Sequence, residues 1–123
     1  MEEEILKDLK ELPNKIKEAE IATFTTALGL EALEQLRVSI ELSTTSIVIN
    51  EHDDSGKKMY TNEDSRRAAV SETLSHNEEY IKIMTSILDL KKQQIQNKTD
   101  LDYYNNKFRA ARSMVTLIKG EVS

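Results

Sequence analysis

Two histidines set among carboxylates are the residues with the first claim to chemistry in this chain. His52 stands in "NEHDDSGKK" beside Glu51, Asp53 and Asp54, a set of oxygens and one imidazole that could ligate a cation. His76 follows Glu72 by four residues and precedes Glu79 by three. Neither group has the spacing of a calcium-binding loop, and no second histidine falls at metal-ligand distance from either. They read as turn and surface residues, and no metal or cofactor is expected. A hydroxyl needs an identifiable base and oxyanion site to act as a nucleophile, and no P-loop, dinucleotide fingerprint, nucleophile elbow or HExxH supplies one. The expectation is a protein without enzymatic activity.

A third set could bind rather than react. Residues 91 to 119 carry seven basic side chains against Asp100 and Asp102, interleaved with Tyr103, Tyr104 and Phe108. Aromatic rings among cations can stack bases and track phosphates. Lys98, Tyr103, Lys107, Arg109 and Arg112 are therefore the candidate nucleic-acid contacts. The formal net charge of -5 argues against making nucleic acid the favoured partner.

These residues must be positioned by a chain of 123 residues, the size of one domain. Charged residues make up 32%, and three glycines and one proline are too few for a sandwich or a barrel, so long helices are expected. With no cysteine, disulfides and thiolate sites are excluded. The opening "MEEEILKDLKEL" is acidic where a signal peptide would be basic, and no apolar run approaches membrane length. The chain reads as cytoplasmic, with no membrane partner.

Ile5, Leu9, Leu12, Ile16, Ala19, Thr23, Thr26, Leu30, Leu33, Arg37, Ile40, Thr44 and Ile47 recur at alternating steps of four and three, a heptad seam. Pro13 removes a donor and disfavours helix at the residue before it, which predicts an arm or short helix over 1–12 and a first long helix over 13–45. A second seam runs through Tyr80, Ile83, Ile87, Leu90, Gln94, Asn97, Leu101, Tyr104, Phe108, Ala111, Val115 and Ile118. Beside it Val70, Leu74, Ile81, Met84, Leu88 and Ile95 form another apolar row. A helix over 62–119 would measure about 85 Å at 1.5 Å per residue and would need a partner. Thr99 with Asp102 offers an N-cap that would break it near Asn97; continuity is the preferred reading, with Gln94 and Asn97 as polar register-setting positions.

Between the seams, residues 46–61 change character. Ser46, Ile47, Val48 and Ile49 favour strand, "EHDDSG" is turn chemistry with Gly56 free to take positive φ, and "KKMY" can return as a second short strand. Thr61 with Asp64 then suits a capping box. The insert is expected to be a short β-hairpin or β-like turn at the tip of an antiparallel helical hairpin. Folding back also suits the charge: residues 1–63 carry 14 acidic and 7 basic side chains, residues 64–123 carry 8 and 10.

The run "YTNEDSRRAAVSETLSHNEEYIKIMTSILDLKKQQIQNKTDLDYYNNKFRAARSMVTLI" resembles small helical coiled-coil proteins of Gram-positive phages and prophages, in which a turn leads through "TNE" into a long helix ending in an aromatic and basic stretch. The resemblance implies a phage or prophage setting and brings no catalytic residue with it.

The sequence therefore predicts an all-α hairpin or coiled coil in one domain. It would form homo-oligomers through Tyr80, Ile83, Ile87, Leu90, Leu101, Tyr104, Phe108 and Val115, and act as an accessory, regulatory or chaperone-like adaptor. The protein partner is unknown, and the tip residues Glu51, His52, Asp53, Asp54, Lys57 and Lys58 are its expected site, since loops on a rigid scaffold carry recognition. An alternative is an acidic inhibitor that imitates DNA toward a nuclease or DNA-handling protein. A second alternative is a nucleic-acid-binding accessory protein that uses the basic end of the last helix.

Overall fold

The computed structural model describes residues 1–122 and is all-α, with α1 over Glu2–Ile49, α2 over Glu63–Ser75 and α3 over Glu78–Val122. Two compact units divide it. The first comprises Met1–Leu28 and the part of α3 from Lys91 onward; the second is Gly29–Leu90 and includes all of α2. In the first unit α1 and α3 run antiparallel, since Asp8 meets Lys107 while Thr26 meets Asn97. In the second they do so again, with Glu41 against Tyr80, and Gly29 against Leu90.

Pro13 lies inside α1, where a break after residue 12 was expected. Proline in a helix interior costs about 3 kcal/mol. Ile5 and Leu12 are both buried, and burying each such side chain contributes about 1.5–3 kcal/mol. Burial of these two side chains is enough to offset the cost of the proline.

The far end of α1 overturns the strand expected over 46–49. Those residues are helical because the helix gives them a core: Val48 is 1% exposed and Thr44 is buried. Thr45 donates its hydroxyl to the Glu41 carbonyl at 2.7 Å, so its polar group is met within the helix. Tertiary packing here outweighs β propensity. The seam also shifts. Ile47, the heptad position, is 60% exposed. The inward positions step from Arg37 through Glu41 and Thr44 to Val48, the 4-3-4 spacing that follows from 3.6 rather than 3.5 residues per turn.

Residues 50–62 contain no strand, and their β-like feature is one antiparallel bridge between His52 and Lys58. Gly56 turns the chain at φ +84°, a conformation L side chains rarely adopt. Asn62 then caps α2, its Oδ1 accepting from the Ser65 backbone N–H at 2.7 Å, one residue beyond the expected cap Thr61.

The expected single helix over 62–119 is two helices, parted at His76 and Asn77. Asn77 Oδ1 accepts from the Tyr80 N–H at 3.0 Å, which caps α3, and Glu78 and Glu79 follow where negative charge suits a helix start. No break occurs near Asn97: Thr99 donates to the Ile95 carbonyl from within the helix. Asn97 is 4% exposed and fully engaged. Its Nδ2 donates to Thr26 Oγ1 at 2.9 Å and to the Ala22 carbonyl at 3.2 Å, while its Oδ1 accepts from Gln93 at 2.8 Å.

Candidate functional site

The residues singled out by sequence fall into three places. Glu51, His52, Asp53, Asp54, Lys57 and Lys58 all lie in the 50–62 turn. Asp53 organises it. Its Oδ1 accepts from the Ser55 hydroxyl at 2.6 Å and from the backbone N–H groups of Ser55 and Lys57 at 2.9 and 3.0 Å. The Ser55 hydroxyl first, then the Lys57 amide, holds the carboxyl below its usual pKa. Asp53 is thus occupied in shaping the loop, whereas Asp54 and the two lysines are exposed and Glu51 is half-buried. His76 caps α2 instead, its Nδ1 2.9 Å from the Glu72 carbonyl and 3.1 Å from Ser75 Oγ. Among the described residues no group of three or more His, Cys, Asp or Glu side chains is arranged to hold a metal ion. Among the described residues no helix is long and apolar enough to cross a membrane.

The seam residues are used inside the chain. Ile83, Ile87 and Ala111 are buried and Tyr80, Leu90, Leu101, Tyr104, Phe108 and Val115 are half-buried; among them Leu90 lies against Gly29 of α1, and Val115 lines an apolar groove with Ile5. Tyr80 donates to Glu41 Oε2 at 2.7 Å, and that hydrogen bond, with burial, raises its pKa. Arg37 braces the same carboxylate at 2.8 Å and Glu34 at 2.7 Å. What remains exposed is the flanking set. In the first unit Ile21, Phe24 and Leu28 stand at steps of three and four on α1, at 55%, 65% and 52% exposure. On α3, Ile81, Leu88 and Ile95 keep a seven-residue spacing and are likewise exposed.

The five candidate nucleic-acid contacts are divided between two flanks of α3. At 100° per residue, Tyr103 and Arg112 point about 180° apart, as do Lys98 and Lys107. Tyr103 and Lys107 line a groove of about 430 Å³ with Glu4, Asp8 and Glu11 of α1. There Lys107 lies 3.7 Å from Asp8 and 5.8 Å from the Tyr103 ring centroid, while Lys15 sits 5.8 Å from that of Tyr104. The lysine and the rings satisfy one another, beside carboxylates that would repel a phosphate. Lys98, Arg109 and Arg112 share the other flank, within about 60° of one another. Lys91 and Lys119 extend their row and were not among the expected contacts. Their signal was in the spacing: Lys91, Lys98, Asn105, Arg112 and Lys119 are seven residues apart.

Neither a family model, nor a curated protein, nor a solved structure matches this chain.

Proposed function

We propose that the chain is a non-enzymatic interaction protein that associates with copies of itself. In this reading it is a phage or prophage accessory or adaptor of the host cytoplasm, a helical hairpin with the 50–62 turn at its tip. The observation that carries it is the exposed row Ile21, Phe24 and Leu28, three large apolar side chains on one side of α1 with nothing of their own unit over them. Contiguous apolar surface of this kind marks association, and each such side chain withdrawn from water contributes about 1.5–3 kcal/mol. A second copy is the occupant argued for, because the buried seam is already filled and the flanking row repeats its helical spacing.

Sedimentation over a range of concentrations tests the reading. The expected result is a species larger than one subunit that Phe24→Asp converts to a single subunit without loss of helix. Wild-type protein that sediments as a single subunit at every concentration would overturn it.

The second unit favours one further reading. It holds 12 acidic and 6 basic side chains, a charge of -6, so its carboxylates suit an inhibitor that offers a DNA-binding cleft negative charge in place of phosphates. Salt-sensitive binding to a basic nuclease, weakened by Glu51→Gln with Asp54→Asn, would support that alternative.

A further inference from the structure

We infer that the flank of α3 carrying Lys91, Lys98, Asn105, Arg109, Arg112 and Lys119 is a binding stripe for the phosphodiester backbone of nucleic acid. All six residues belong to the first unit. A step of seven residues falls only about 20° short of two full turns, so Lys91, Lys98, Asn105, Arg112 and Lys119 form a slowly winding row. Arg109 falls within the same sector, and the five cations lie within about 80° of one another. Asp102 is the one acid in that sector. The row extends about 42 Å along the helix, the length of roughly a dozen base pairs of duplex.

Two observations set this flank apart from the flank that carries Lys107. The first is the freedom of its cations. Lys91, Lys98, Arg109, Arg112 and Lys119 are all exposed and none is in an ion pair among the described residues, whereas Lys107, on the opposite flank, is engaged by Asp8 and Tyr103. The second is a built recess of about 250 Å³ lined by Asn105, Phe108, Arg109 and Arg112. Arg112 is steadied there, its guanidinium 5.9 Å from the centroid of the Phe108 ring. Two guanidiniums and an amide line one recess large enough to admit a phosphate, and guanidinium forks match phosphate oxygens. The overall negative charge does not oppose this. It resides in the second unit, while the first carries 11 basic and 10 acidic side chains, a net of +1.

The stripe carries no array of free rings, so binding is expected to follow charge and to be indifferent to base sequence. Fluorescence anisotropy tests this on the full chain, with single-stranded DNA, duplex DNA and single-stranded RNA of one length at several salt concentrations. The expected result is binding to at least one of them that weakens steeply with salt. The triple variant Lys98→Gln, Arg109→Gln, Arg112→Gln should bind at least about tenfold more weakly, with a salt slope lower by about 1 for each phosphate contact removed. Lys107→Gln, on the acidic flank, should change affinity less than about twofold. All three replaced side chains are exposed, so helix content and melting should not change, which circular dichroism checks. The strand type that binds most tightly identifies the nucleic acid. Absence of salt-sensitive binding to all three overturns the proposal, as does an equal loss in Lys107→Gln or an unchanged triple variant. A triple variant that loses self-association, with nucleic acid bound by neither protein, overturns it as well, since the cations would then serve a second copy. Phe24→Asp leaves the stripe intact, so failure of the self-association reading is scored separately.

Discussion

Asp53 governs the 50–62 turn through one oxygen, and this gives the turn a pH dependence whose sign follows from its hydrogen bonds. The Ser55 hydroxyl and the Lys57 amide favour the carboxylate, so the folded pKa lies below the unfolded value near 3.8. The stabilisation is therefore fully present above that value and is lost as pH falls through the lower, folded pKa. The protection factors of the Ser55 and Lys57 amides, taken against the intrinsic exchange rate at each pH, should fall in acid ahead of those of the helices. Asp53→Asn, which cannot ionise, should flatten that profile. Tyr80 acts at the opposite end of the scale. Its pKa is raised by the hydrogen bond it gives Glu41 and by burial, so its contribution is complete below the ordinary tyrosine value of about 10 and fades as pH rises through the raised one. Tyr80→Phe should cost about 1 kcal/mol at neutral pH and remove that alkaline limb, read from denaturant midpoints across pH.

Among the elements, α1 and the joint between α2 and α3 show what a local reading can and cannot see. The three-four alternation of the second seam placed α3 through Asn97 to the last residues, because a long amphipathic pattern is dictated by the helix's own geometry. Pro13 and the stretch from Ser46 to Ile49 read as breakers, and both are helical because Leu12 and Val48 have a core to fill. That core comes from residues distant in sequence. The break at His76 and Asn77 was legible: Asn77 followed by Glu78 and Glu79 is an N-cap with an acidic first turn, overshadowed by the continuous apolar rows on either side. Of the candidate site, residue types were legible and partners were not. Tyr103 and Lys107 could be seen to be aromatic and basic, yet only the position of Asp8 on a helix 99 residues earlier shows that Lys107 is engaged. Two substitutions test these elements by thermal and denaturant unfolding. Pro13→Ala should restore a helix donor and stabilise by about 1–3 kcal/mol, while Asn77→Ala should destabilise by about 1 kcal/mol.

At the scale of the whole molecule, charge and apolar surface are unevenly distributed. The second unit carries the negative excess, the first carries exposed cations along one flank of α3 and Lys107, engaged by Asp8, on the other, and apolar rows lie open on both long helices. A surface so divided suits several kinds of contact at once, which is why the self-association and nucleic-acid experiments use different variants. The polar core of the first unit belongs to this scale too. Asn97→Ala should cost about 1–3 kcal/mol by leaving the Thr26 hydroxyl unmatched, whereas Thr26→Val with Asn97→Leu should be about as stable as the wild type and show duplicated resonances by NMR. Greasy positions a heptad apart are interchangeable, so leucine against leucine would tolerate sliding. A slip of seven residues would bring Asn97 opposite Ala19, where no hydroxyl waits for its amide. The amide and its hydroxyl therefore pick one notch out of several that oily side chains alone would not tell apart.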